Sequence, residues 1–130
     1  MKAEDSNLEF RVYYEDTDVS GFLYHSTYLN YCERARSEIF FKRGISPISG
    51  NSHFVVRKIE AEYLKPAQFG DNLKVETYLL KMGGASVLLN QEIFRKDEKL
   101  FTAKILLAHL IGAKPSKIDE EIRQIFKELK

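Results

Sequence analysis

The sequence contains no tryptophan, a single cysteine and no long apolar segment. Cys32 has no partner for an intrachain disulfide, and no pair of Cys or His residues has the spacing of a zinc-binding motif, so a reducing compartment fits the chain. The first ten residues lack the apolar core of a secretion signal, and no apolar run approaches the roughly 18 residues that a membrane-spanning helix needs. We therefore expect a soluble, cytoplasmic protein without a transmembrane segment.

Neither sign of charge dominates, because 20 Lys and Arg residues balance 19 Asp and Glu residues, for a formal net charge of +1. Such a balance creates no strong field toward nucleic acid or anionic lipid, and we expect no nucleic-acid partner. The length of 130 residues, with 44% apolar and 30% charged residues, suits one hydrophobic core. No repeat or linker interrupts the chain, so we predict a single domain over residues 1–130.

The first third of the sequence predicts a strand, a loop and one long helix. Residues 10–14 are mostly β-branched and aromatic, as in a strand, and the polar residues 15–21 follow as a loop. From 26 to 42, apolar residues recur at spacings of three and four, with Ser26 or Thr27 as the N-cap and Gly44 placed to end the helix. The apolar helix positions are Tyr28, Cys32, Ala35 and Ile39.

The remainder predicts four strands and a short second helix. The strand-like runs cover residues 54–64, 73–81, 86–94 and 100–111, and their short connections favour antiparallel neighbours. Acidic residues at 119–121 suit the positive end of a terminal helix. The apolar face of that helix consists of Ile118, Ile122, Ile125, Phe126 and Leu129.

This order of elements predicts an α+β fold in which an antiparallel sheet wraps around one long central helix, with a short C-terminal helix, which is the hotdog arrangement. Residues 87–89 and 105–108 are apolar at consecutive positions and therefore on both faces of the sheet. The long helix can cover only one face. We expect the terminal helix or a second subunit to cover the other, and hence an oligomer.

The densest chemical signal is the segment YYEDTDVSGFLYH at residues 13–25, an acidic loop that leads into the start of the long helix. It resembles the active-site signature of the 4-hydroxybenzoyl-CoA thioesterase family, and in particular the branch associated with the Tol-Pal envelope system. YLNYCERARSEI at residues 28–39 and FVVRKIEAEYLKPAQFGD at residues 54–71 are similar to the same branch. The resemblance implies the hotdog fold and the hydrolysis of an acyl-CoA thioester.

The resemblance also implies roles for individual residues. Asp18, the second aspartate of the D-x-D pair, is the expected catalytic carboxylate. His25, seven places on, is expected to begin the helix and to offer its backbone amide to the thioester carbonyl. Tyr14 and Tyr24 are expected to line the pocket, and Gly21 to lie against the thioester.

An assembly is implied as well. The resemblance suggests a continuous sheet across a two-fold axis, and we expect a homotetramer built as a dimer of dimers. A single sheet on one helix leaves no deep cavity of its own, so the acyl pockets are expected where protomers meet. The nucleotide end of CoA is expected near Arg57, Lys58 and Lys65, and acyl carrier protein is an alternative carrier of the acyl group.

The chemistry explains why such residues belong together. Thioester hydrolysis develops negative charge on the carbonyl oxygen, which unpaired amides at a helix N-terminus can stabilise. A carboxylate opposite that carbonyl acts either as a general base for water or as a nucleophile that forms a mixed anhydride, and Asp18 suits both routes. The His25 imidazole is a second candidate to hydrogen-bond the carboxylate or substrate. We expect no cofactor and no metal, because the sequence carries no ligand cluster.

Gly21 permits a positive φ and a close approach of the backbone to the substrate. Val19 and Ser20, just before it, occupy a pair of positions that varies within the branch.

Other interpretations of the D-x-D segment are weaker. An EF-hand loop needs a bidentate Glu at its twelfth position, where Thr27 stands. Haloacid-dehalogenase phosphatases carry such a motif on a parallel sheet, whereas these strands are predicted to be antiparallel. A G-x-S-x-G nucleophile elbow is absent. Two alternatives stay open, namely a hotdog dehydratase with Glu33 or Glu38 as its acid, and a non-catalytic acyl-CoA binding module.

Overall fold

The structure, a computed structural model, describes residues 7–129. Its elements are β1 (Leu8–Arg11), a 3₁₀ turn (Tyr14–Asp16), α1 (Thr27–Phe41), β2 (Ser52–Tyr63), β3 (Asn72–Met82), β4 (Ser86–Arg95), β5 (Glu98–Ile111), β6 (Lys114–Pro115) and α2 (Glu120–Lys127). The long helix and the four long strands begin and end within two residues of their predicted positions. The short strand β6 was not predicted.

The strands form one antiparallel sheet in the order β1-β3-β4-β5-β2, with β6 paired to the end of β5. The neighbours β3, β4 and β5 follow the rule that short connections join antiparallel strands. That expectation was wrong for β2, which pairs with β5 and not with β3. The reason lies in residues 64–71, because the amides of Leu64 and Lys65 bond to the Leu100 carbonyl before the chain crosses to β3.

The core lies between the concave face of the sheet and α1. The buried helix residues include the predicted Tyr28, Cys32, Ala35 and Ile39, and also Tyr31 and Phe40. Opposite them lie alternate residues of the strands, since one face of each strand points inward. Each fully buried large apolar side chain contributes about 1.5–3 kcal/mol to folding relative to an exposed one.

One buried polar residue fixes the helix to the sheet. The side-chain amide of Gln91, on β4, donates to the Cys32 carbonyl and to the Thr77 hydroxyl, both at 3.0 Å. Its oxygen accepts a 2.8 Å bond from the Arg36 guanidinium. Because unpaired buried amides are costly, these bonds favour one registry of α1 over the sheet.

The terminal helix α2 packs beside α1 on the same face of the sheet. The ring of Phe126 lies 5.4 Å from Phe40 of α1 and 5.6 Å from Phe54 of β2. All five residues of its predicted apolar face are buried. Of the two covers expected for the outer face of the sheet, the terminal helix is therefore excluded and a second subunit stays a prediction. Leu88 and Leu106 are partly exposed on that face.

The first strand also differs from the prediction. It ends at Arg11 and not at Tyr14, because Asp16 folds the chain into a tight turn. The Asp16 carboxylate accepts a 3.0 Å bond from the Tyr13 amide and a 2.9 Å bond from the Tyr31 hydroxyl. An aromatic run favours a strand locally, but this carboxylate stabilises the turn.

A curled antiparallel sheet on one long helix, with a short C-terminal helix, is the hotdog fold that the sequence predicted. Its two sheet edges are unequal, because β1 has four residues and β2 has twelve. Over residues 7–129, neither helix has the length and apolar content to cross a membrane.

Candidate active site

The loop that carries Asp18 is a tight turn-back between the 3₁₀ turn and α1. A bridge joins Thr17 to Leu23, and the Asp18 amide donates to the Phe22 carbonyl at 2.9 Å. Gly21 turns the chain with a φ of +85°, a conformation that side chains disfavour, as its sequence position predicted. The turn-back brings Asp18 alongside the segment that leads into His25.

This loop rests on the segment that crosses from β2 to β3. The Leu23 amide donates to the Ala67 carbonyl, and the Phe69 amide to the Gly21 carbonyl, both at 2.9 Å. From the helix side, the Tyr28 hydroxyl accepts a 3.1 Å bond from the Ala67 amide. Backbone bonds therefore join the loop to the crossing segment, and the Tyr28 side chain joins that segment to the helix, which together fix the position of the Asp18 backbone.

The Asp18 carboxylate lies at the surface with one oxygen engaged. Its Oδ1 accepts a 2.5 Å bond from the Ser20 hydroxyl and a 2.8 Å bond from the Ser20 amide. These bonds, with a weaker contribution from the Phe22 amide, hold the pKa of Asp18 below its ordinary value. The group is therefore ionised at neutral pH, as a nucleophile or general base must be.

His25 lies two residues before the first residue of α1 and not at the helix start itself. Within residues 7–129 the His25 amide has no acceptor, whereas the Tyr24 amide donates to the Asp16 carbonyl and the Thr27 amide to the Tyr24 carbonyl, each at 2.9 Å. The first turn of α1 carries no acidic residue, and Ser26 makes no side-chain cap. A free amide at an uncapped helix start is suited to a developing negative charge.

A residue that the sequence did not single out holds His25 in place. The Tyr63 hydroxyl, at the end of β2, donates a 2.7 Å bond to the His25 carbonyl. Its ring packs against Tyr28 of α1 and Phe101 of β5, with centroids 5.1 and 5.0 Å away. The contact between Tyr63 and His25 is visible only in the folded structure, because 38 residues separate the two partners in the sequence.

A shallow pocket of about 260 Å³ opens beside His25. Among the predicted substrate contacts, Lys65 lines this pocket and forms a 2.7 Å ion pair with Glu98. The remaining lining consists of Leu23, Tyr28, Tyr63, Leu64 and Pro66. One cationic and two phenolic groups around an apolar floor can contact a polar thioester and its carrier.

The other predicted substrate residues are more dispersed. Tyr14 lies in the 3₁₀ turn, 78% exposed, with its ring edge-on to Phe69 at 6.1 Å. The exposed Tyr24 ring lies 4.4 Å from the His25 ring. Neither tyrosine lines the pocket beside His25, and their expected contacts with the substrate stay predictions.

Arg57 and Lys58 lie on β2, away from the crossing segment. Arg57 is the extra residue of a β-bulge, since the register with β5 shifts between Val56 and Lys58. Lys58 points to the outer face and pairs with Glu60 at 2.9 Å. The structure thus brings Lys65 to the pocket beside His25 but does not bring the other two cations to it.

A second, larger pocket lies at the opposite end of β2. It measures about 350 Å³, is open to solvent and lies between the C-terminal half of α1 and the sheet. The expectation that a deep acyl pocket needs a wall from a second protomer stays a prediction. Its lining is mainly apolar and includes Phe40, Phe54, Val56, Leu107 and Phe126, with Arg36 at the wall.

Metal-ligating side chains do not cluster in the described part of the chain. Across residues 7–129, no group of three or more His, Cys, Asp or Glu side chains is placed to hold a metal ion. The buried Cys32 is surrounded by apolar groups, and burial raises the pKa of its thiol to about 12. A thiol in this state is a poor nucleophile and a poor ligand.

Comparison with protein families matches residues 20–102 to the model described as Thioesterase superfamily. The matched region begins just after Asp18 and includes His25 and the whole of α1.

Named relatives cover nearly the whole chain. An acyl-CoA thioesterase YbgC from Helicobacter pylori is 40% identical, over 94% of this chain and 97% of that protein. An acyl-CoA thioester hydrolase YbgC from Escherichia coli is 35% identical, over 91% of this chain and 92% of that protein. A crystal structure of a probable thioesterase from Bartonella henselae superposes with a TM-score of 0.82 at 34% identity, covering 87% of this chain and 98% of that one.

Proposed function

This chain belongs to the thioesterase superfamily, and from that premise we propose that it hydrolyses acyl-CoA thioesters to a free acid and CoA. One observation carries the proposal. A single turn-back presents an ionised carboxylate, Asp18, and leads directly into a free backbone amide at His25, two residues before the uncapped start of α1. The relatives named as acyl-CoA thioesterases support the same assignment.

In the proposed reaction, the His25 amide donates to the thioester carbonyl oxygen and stabilises the negative charge that develops there. Asp18 removes a proton from water as the water oxygen bonds to the carbonyl carbon. The C–S bond then breaks, the sulfur leaves with the bonding electron pair, and the proton on Asp18 passes to the thiolate. In the alternative route, an Asp18 oxygen attacks the carbon itself, the C–S bond breaks, and the thiolate leaves with the bonding electron pair. Water then cleaves the mixed anhydride, which returns the Asp18 carboxylate and the free acid, and a proton from that water passes to the thiolate.

The active unit is proposed to be at least a dimer. The long edge strand β2 pairs only with β5 among the described strands, so its other edge is unpaired. On its inner face Val56, Ile59 and Tyr63 are 45%, 39% and 47% exposed. A long edge with exposed apolar residues is unfavourable in water, and antiparallel pairing with β2 of a second copy would cover it.

Such a pairing would complete the acyl site. The 350 Å³ pocket lies at the start of β2 and the His25 pocket at its end. When two β2 strands run antiparallel across a two-fold axis, the start of one lies beside the end of the other. The thioester would then lie at His25 of one copy, while its acyl chain enters the apolar pocket of the second copy.

The remaining parts of the proposal concern the carrier and the larger assembly. We propose that Lys65, beside His25, meets the phosphates of CoA, with Arg57 and Lys58 as more distant contacts, and that acyl carrier protein is the alternative carrier. The tetramer would pair two dimers through their outer faces, where Leu88 and Leu106 are incompletely buried. A cytoplasmic location and a role beside the Tol-Pal system belong to the same proposal.

A hydrolysis panel tests the function directly. Purified protein is incubated with short-, medium- and long-chain acyl-CoAs and with an aromatic acyl-CoA, and the released thiol is measured. Binding without thiol release would favour the acyl-CoA binding module. Reversible dehydration of a 3-hydroxyacyl-CoA would favour the dehydratase, with Glu33 or Glu38 as its acid.

The proposed reaction uses no metal, since the helix amide polarises the carbonyl. Hydrolysis should therefore be unchanged after treatment with a chelator. A loss of activity that a divalent ion restores would contradict this part of the proposal.

A further inference from the structure

We infer that Ser20 is a positioning residue for the reaction, which holds the Asp18 carboxylate in one orientation through its hydroxyl. The inference rests on the proposed catalytic role of Asp18. It adds a residue to which the sequence analysis assigned no role, on the basis of a contact that its side chain makes in the structure.

The geometry is that of two donors on one oxygen. The Ser20 hydroxyl and the Ser20 amide both reach Oδ1 of Asp18, at 2.5 and 2.8 Å, and no described donor is bonded to Oδ2. Charge-assisted bonds of this length are the stronger kind of hydrogen bond. They restrict rotation of the carboxylate and leave Oδ2 as the oxygen that faces the substrate or water.

The contact is the more important because no described side chain other than that of Ser20 is bonded to the carboxylate. Asp18 is exposed, and Val19 between the two partners projects fully into solvent. An exposed aspartate without a local partner samples several rotamers, and only some of them direct an oxygen at the thioester. The backbone of the loop is fixed by the crossing segment, so the remaining freedom at this position is that of the Asp18 side chain.

The charged groups on the neighbouring segments are engaged elsewhere. Asp16 accepts from Tyr13 and Tyr31, and Asp71, on the crossing segment, pairs with Arg95 at 2.8 Å. Lys65, on the crossing segment, pairs with Glu98 at 2.7 Å. The segments on either side of the loop also carry the titratable side chains of Tyr14, Glu15, Tyr24 and His25. The lowered pKa of Asp18 comes first from the Ser20 hydroxyl and then from the backbone amides, and none of these charged groups contributes to it.

The sign of the pH effect follows from that cause. Hydrogen bonds to the ionised form lower the pKa of a carboxyl group, so removing the Ser20 hydroxyl raises the pKa of Asp18. At a given acid pH, less of the carboxylate is then ionised. The acidic limb of the rate profile should therefore move to higher pH in Ser20→Ala.

The experiment compares three variants with the unaltered enzyme over a range of pH, with an acyl-CoA that the enzyme hydrolyses. For Ser20→Ala we expect kcat at neutral pH to fall by about two- to tenfold, because the carboxylate is less often aligned, with KM little changed. The acidic limb of kcat/KM should shift to higher pH. Ser20→Thr keeps the hydroxyl and should restore both properties.

Thr102→Val is the matched control, since it removes a hydroxyl from the outer face of the sheet, where Thr102 contacts Asn90. It should change neither kcat nor the acidic limb. Melting temperatures of all variants separate a loss of folding from a change in the reaction.

The inference is overturned if Ser20→Ala keeps the acidic limb and kcat of the unaltered enzyme, or if Ser20→Thr fails to restore them. Failure of the proposed function looks different. In that case Asp18→Asn remains active, or the unaltered protein hydrolyses no acyl-CoA at all. An enzyme inactivated by Asp18→Asn but indifferent to Ser20→Ala would refute the role of Ser20 alone.

Discussion

The Tyr63 hydroxyl donates a 2.7 Å hydrogen bond to the His25 carbonyl and so ties the end of β2 to the residue before α1. This hydrogen bond matters for the proposed catalysis because the carbonyl carbon of His25 is only two bonds from the His25 amide nitrogen along the main chain. A tether on the carbonyl therefore limits the movement of the proposed oxyanion donor.

Loss of this tether should slow the reaction. Tyr63→Phe removes one hydrogen bond, with a net value of about 1 kcal/mol, and we expect a fall of roughly fivefold in kcat. Tyr78→Phe is the control, since the Tyr78 hydroxyl bonds to Glu76, away from α1. Steady-state kinetics check the prediction, and equal rates for both variants would contradict a role for the tether.

Replacement of the proposed catalytic carboxylate should abolish most of the activity. Asp18→Asn keeps the size of the side chain but removes the nucleophile or base, so we expect turnover to fall by at least about a hundredfold in a folded protein. Asp97→Asn makes the same change in the exposed turn between β4 and β5 and should have no effect. A folded Asp18→Asn variant with retained activity would rule out the assignment.

The first aspartate of the D-x-D pair should matter for stability. The buried Tyr31 hydroxyl donates to Asp16, and burial together with this neighbouring carboxylate raises the pKa of Tyr31, so it remains a donor. Asp16→Ala leaves that donor unpaired and should cost about 1–3 kcal/mol in the free energy of unfolding. Asp16→Asn keeps an acceptor oxygen and should cost less. Urea unfolding measures both, and an unchanged Ala variant would contradict the structural role.

Disruption of the edge strand should separate the protomers. Ile59→Lys places a charge on the inner face of β2, where pairing with a second copy would bury it, so we expect a monomer with little activity. Leu80→Lys on β3 is the control, because Leu80 is 48% exposed but lies away from the β2 edge. Sedimentation and rate are measured together. A monomer that hydrolyses acyl-CoA at full rate would refute the shared pocket.

Most of the fold could be predicted from the sequence because its patterns are local. The spacing of three and four in α1 gave its buried face, and alternation with β-branched residues gave the four long strands. The pairing of β2 with β5 could not be predicted, because it depends on the path by which residues 64–71 carry the chain from β2 across the fold to β3. The predicted end of β1 was wrong because the Asp16 carboxylate stabilises a turn there. It accepts hydrogen bonds from the Tyr13 amide and from the Tyr31 hydroxyl, and the second partner is distant in the sequence.

The candidate active site was predictable only in part. The resemblance of residues 13–25, 28–39 and 54–71 to the thioesterase family identified the family, which the comparisons confirm. The roles of Asp18 and His25 stay predictions. The sequence analysis assigned no role to Ser20 or Tyr63, since a serine in a polar loop and a tyrosine on a strand have no distinctive pattern. Their importance depends on which atoms they reach in the folded chain.

The inequality of the two sheet edges limits how large an assembly can grow. In the proposed dimer, the β2 strands of the two copies pair with each other across a two-fold axis, so neither copy keeps a free β2 edge for a third copy. The four residues of β1 offer too short a template for further addition, and the bulge at Arg57 restricts the registers in which β2 can pair. We therefore expect the proposed assembly to be a closed oligomer and not an open fibre.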